Sequence, residues 1–141
     1  MSDATGQLRD DLEGVSRALQ QLHKLVLEAE GAPLPGQAGL AFLDRLLNDP
    51  SWAWLRPLSK LIADLDEGLA RDTSLTRGDA AAAAGHVRAL VFGLGEPRDE
   101  LFLARYRPLL QLSPALASAH GQLKRLLDAL PVTQAPGFRA P

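Results

Sequence analysis

Six apolar residues, Leu8, Leu12, Val15, Leu19, Leu22 and Val26, recur at spacings that alternate between four and three. On a helix turning roughly 100° per residue they fall in one stripe, whereas on a strand they would scatter over both faces. The pattern predicts an amphipathic helix from about Gln7 to Glu30. Glu13 and Arg17, four apart on the opposite side, support it as an ion pair. Gly31-Ala32-Pro33-Leu34-Pro35-Gly36 ends it, because two prolines and two glycines cannot continue the ladder.

The same logic carries the rest of the chain. Leu40, Leu43, Leu46 and Leu47 predict a short second helix over 38–48. Asp49-Pro50 reads as an N-cap followed by proline at the first helical position, opening a third helix through Trp54, Leu58, Leu61, Ile62, Leu65 and Leu69. Pro57 lies inside that pattern and would free the carbonyl of Ala53. A kink at Pro57 is the expected outcome, and a separate turn over 50–55 the alternative. A polar loop, 71–79, precedes a fourth helix expected from Asp79 to Phe92, stopped by Gly93 and Gly95. Pro97 opens a fifth, with Leu101, Phe102, Tyr106 and Leu109, interrupted by Pro108. Ser113-Pro114 starts a sixth, carrying Leu116, Leu123, Leu126, Leu127 and Leu130 up to Pro131. No segment alternates with period two, so the expected fold is all-α. It is a single-domain bundle of five to six helices over 7–131, two of them proline-kinked, between a flexible tail at 1–6 and a disordered one at 132–141.

A chain of 141 residues, 46% apolar and 23% charged, can close a hydrophobic core unaided. It contains no cysteine, which excludes disulfides, thiolate metal sites and cysteine nucleophiles and fits a reducing cytoplasm. Fifteen basic residues against seventeen acidic ones give a formal charge of −2, leaving no field to attract nucleic acid or an anionic membrane. No apolar run reaches the ~18 residues of a membrane span, and the polar start lacks a signal-peptide pattern, so a cytoplasmic location is expected.

Chemistry-bearing residues are few. On a regular third helix Trp52 points about 120° away from the apolar direction that Trp54 shares. Trp52 then packs against the second helix or a loop, or stands out as an anchor for a partner. Trp54, Arg56 and Tyr106 join it as interaction candidates. His23 and His120 border the apolar stripes of their helices, where a bundle would place a metal or haem ligand. The usual explanation for each is a partly buried imidazole hydrogen-bonded to a carbonyl or carboxylate. Asp66 is a weak ligand candidate, because Asp64 lies about 200° away from it and cannot share its ion. There is no His-Glu-x-x-His, no Gly-x-Ser-x-Gly elbow and no phosphate loop at Gly93 to Pro97. The composition therefore implies no cofactor.

The stretch Leu46-Leu47-Asn48-Asp49-Pro50-Ser51-Trp52-Ala53-Trp54-Leu55-Arg56-Pro57-Leu58-Ser59-Lys60-Leu61-Ile62, followed by Asp66-Glu67, resembles a bacterial family of all-helical proteins with no established activity. A looser likeness covers Phe102 to His120, where Ser113 replaces an aspartate of that pattern; both residues cap helices. The resemblance implies a helical fold and names no function. The first helix sustains its stripe for about three heptads, a pattern that also suits a seam between subunits. The expected function is a non-enzymatic protein–protein interaction module that self-associates or binds another protein. The alternative is a bundle holding a metal, haem or small apolar ligand near His23 and His120.

Overall fold

The leucine–valine stripe becomes helix α1 (Ser2–Ala29), and all six of its stripe residues are buried. The computed structural model describes residues 2–30, 50–71, 75–96 and 98–130. α1 begins at Ser2 rather than near Gln7, so most of the segment expected as a tail belongs to the helix. The expected helix over 38–48 and the expected tail at 132–141 lie outside the described residues.

Pro50–Leu55 forms a separate 3₁₀ turn, and α2 (Arg56–Arg71) starts after it. This corrects the expected kink at Pro57. Pro57 is the second residue of α2, where a missing N–H leaves no ladder bond unmade. The proline therefore helps to start the helix.

α3 (Arg77–Val87) begins two residues earlier than Asp79 because Thr76 caps it. The Asp79 amide donates to Thr76 Oγ1 at 3.0 Å, and the Thr76 amide donates back to Asp79 Oδ2 at 3.1 Å. This reciprocal box satisfies two otherwise unpaired N–H groups. α3 runs on into a π-helical segment, Arg88–Phe92, which buries Ala89, Leu90 and Val91 in succession. Gly93 ends it with φ +67, and a Cβ there would meet Arg107 Nη2 at 2.6 Å. The left-handed φ is what favours glycine at Gly93, since the Arg107 side-chain end could swing aside.

α4 (Glu100–Leu112) is opened by Asp99, whose side chain accepts from the Phe102 amide, and not by Pro97. It continues through Pro108, which is exposed together with Ala104, so the carbonyl left without a donor lies on the solvent side. Ser113 closes α4 and caps α5 (Pro114–Ala129), with Pro114 in the first turn as expected.

α1 packs along α5 and α2, while α4 closes against α5, the 3₁₀ turn and the π segment. Among the described residues there is no strand, and no helix is long and apolar enough to cross a membrane. The α1 stripe is buried inside its own chain, so it is not a free intersubunit seam.

Candidate functional site

Where α1 meets α2 the seam carries polar pairs among the leucines. Ser16, only 4% exposed, donates its hydroxyl to Asp66 Oδ1. Gln20 Nε2 reaches Asp66 Oδ2 at 3.3 Å and Ser16 Oγ at 3.2 Å. Two turns further along, His23 Nε2 lies 3.0 Å from Ser59 Oγ. Ser16 and His23 are seven apart on α1, and Asp66 and Ser59 are seven apart on α2 in reverse order, as antiparallel helices require. Burial lowers the His23 pKa, which keeps the imidazole neutral at pH 7.

A second constellation is aromatic. Trp54 meets Phe102 at 5.6 Å, Phe102 stacks on Tyr106 at 5.3 Å, and Phe92 meets the His120 ring at 4.5 Å. Tyr106 Oη and His120 Nδ1 are 2.7 Å apart. Burial pushes the Tyr106 phenol up and the His120 imidazole down, so both are neutral near pH 7. The Arg105 guanidinium lies 6.0 Å from the centre of the Trp54 ring. Trp54 Nε1 is buried with no hydrogen-bond partner among the described residues.

These positions redistribute the expected site residues. Trp54 and Tyr106, read as interaction anchors, are core residues, because the 3₁₀ turn and α4 direct them at Phe102. Arg56 is exposed at the start of α2. The Trp52 side chain lies outside the described residues. His23 and His120 take different partners on different helices, Ser59 and Tyr106. Asp66 serves the Ser16–Gln20 network. Among the described residues no three His, Cys, Asp or Glu side chains gather where they could hold a metal ion.

An open cleft of about 240 Å³ between α2 and α3 has an apolar floor that includes Leu12, Leu61 and Leu65. Its rim charges are already engaged: Asp64 with Lys60 at 2.8 Å, Arg71 with Glu67 at 3.8 Å, and Asp79 in the Thr76 box. It offers a ligand apolar contact but few free polar groups.

Sequence reasoning missed the outer face of α4. Leu101 was expected in the core, yet it is 62% exposed, and Leu112 is 75% exposed. Leu101, Ala104, Arg105, Pro108 and Leu112 all lie within about 60° of one outward direction, and all five are exposed. The inner arc of Phe102, Leu103, Tyr106 and Leu109 already fills the core side. The available signal was two apolar arcs on one helix.

Comparison with protein-family models, with curated proteins and with solved structures finds no match to this chain.

Proposed function

We propose that this protein is a non-enzymatic helical interaction module that self-associates through the outer face of α4. The supporting observation is the exposed pair Leu101 and Leu112 at opposite ends of that face. They are separated by about 16 Å of helix rise, with the small Ala104 and the compact Pro108 between them. A second copy laid antiparallel across this face sets Leu101 of each chain against Leu112 of the other and lets the helices approach closely at their centre. That is the isologous contact of a twofold dimer. One helix face falls short of the roughly 800 Å² per partner of a stable interface, so the dimer is weak and concentration-dependent. The same symmetry brings both Arg105 side chains to one edge, so added salt tightens the association by screening them.

A cysteine-free chain suits a reducing compartment, so a cytoplasmic setting goes with this reading. So does the likeness of the stretch Leu46 to Ile62 to a bacterial helical family.

Sedimentation of the full chain over a concentration series tests the proposal. The wild type is expected to shift toward dimer, and a Leu101→Glu/Leu112→Glu variant of unchanged helical circular dichroism to stay monomeric. A wild-type monomer at about 1 mM, where an association of about 4 kcal/mol would be half populated, would reject self-association. A dimer that survives both substitutions would reject this face.

A further inference from the structure

We infer that Ser59 is an acyl-accepting nucleophile with His23 as its general base: a covalent modification site for a small acyl group carried as a thioester or aryl ester. The two side chains come from α2 and α1 and are held by buried neighbours on each helix, Leu58 beside Ser59 and Leu22 beside His23. Their 3.0 Å separation is within reach for direct proton transfer. Ser59 is exposed, so an acyl donor can approach Oγ, while His23 is only partly exposed. No other hydrogen bond to the Ser59 hydroxyl is found among the described residues, and in the tautomer with its proton on Nδ1 the imidazole accepts the Ser59 proton at Nε2.

The step balances without a further reactant. Ser59 Oγ attacks the acyl carbon as its proton passes to His23 Nε2. The bond from that carbon to sulfur or aryl oxygen breaks, and the departing thiolate or phenolate takes the proton from the imidazolium. The product is an ester on Ser59, and His23 is neutral again. Nδ1 of His23 has no partner among the described residues that would orient the ring as the third member of a triad does. The alkyl ester formed on Ser59 is less reactive than the thioester or aryl ester that forms it, so it accumulates.

The test treats the full chain with p-nitrophenyl acetate and follows intact mass, peptide mapping and the pH profile. One acetyl group is expected on Ser59, forming roughly 100-fold faster than on Ser118, an exposed serine of α5, in line with general-base assistance. It should vanish in Ser59→Ala and fall to the Ser118 rate in His23→Gln. In the wild type the rate should climb as His23 loses its proton, at a pH below the ordinary histidine value, and stay flat above it. Alkaline hydroxylamine removes an oxygen ester from Ser59 but leaves an amide on neighbouring Lys60. Acetylation confined to hydroxylamine-resistant amines, or a Ser59 rate unchanged by His23→Gln and by pH, would overturn the inference.

Discussion

Removing a single oxygen at Tyr106 separates two contributions of the aromatic cluster. The side chain is fully buried, its ring stacks on Phe102 with planes 21° apart, and its hydroxyl reaches His120 Nδ1 at 2.7 Å. Tyr106→Phe keeps the ring and the stack but leaves Nδ1 without its partner. A neutral hydrogen bond contributes about 0.5–1.5 kcal/mol net. Because His120 is only partly buried, water can replace the lost partner, which places the expected loss in the lower half of that range. Tyr106→Ala also empties the ring's volume and should cost about 3–5 kcal/mol. Urea unfolding followed by circular dichroism reads both losses as midpoint shifts at constant slope. The decisive arm repeats Tyr106→Phe in a His120→Leu background. There the hydroxyl is buried without an acceptor, so its removal should be neutral or stabilising. If Tyr106→Phe costs as much with His120 absent as with it present, the hydrogen bond is not the stabilising term and the reasoning fails.

Two further outcomes follow from burial. Leu19→Ala, at the fully buried middle of α1, should lose about 2–5 kcal/mol, and a loss below ~1 kcal/mol would mean that α1 is not the core helix. Burial lowers the pKa of both His23 and His120, so between their folded values and the ordinary 6.5 the unfolded chain binds more protons. Stability should therefore be full above about pH 7, fall as pH drops through 6.5, and level off below the folded values. Urea midpoints across this window should flatten in a His23→Gln/His120→Gln variant.

Periodicity made the helices legible, and local chemistry made some of their ends so. The α1 stripe and the Ser113-Pro114 start both appear where the residues dictate, because each depends on neighbours within a turn. The errors arose where the same residues admit two local solutions. A proline disrupts a helix only beyond its first turn, and spacing alone did not show that the ladder starts at Arg56. Leu101 is adjacent to Phe102, and α4 had room to bury only one of their two arcs. Thr76-x-x-Asp79 was a readable capping box hidden in a polar loop. His23 and Ser59 are separated by 36 residues, and no local rule brings them together.

Apolar stripes fix which faces of α1 and α2 meet, but they fix the axial register only weakly, because leucine packs acceptably against leucine one turn away. The polar pairs supply the missing discrimination. Sliding α2 by one turn in the direction that brings Asp66 opposite Leu12 would set Ser16 opposite Ile62. Asp66 keeps an edge in water and loses little by such a move, whereas Ser16 is buried and would lose its acceptor, at a cost of about 1–3 kcal/mol. That exceeds what exchanging one leucine contact for another can return. The same slide would part His23 from Ser59, since the two pairs stand two turns apart on both helices. The 3.0 Å contact proposed to activate Ser59 is thus set by a buried serine two turns away.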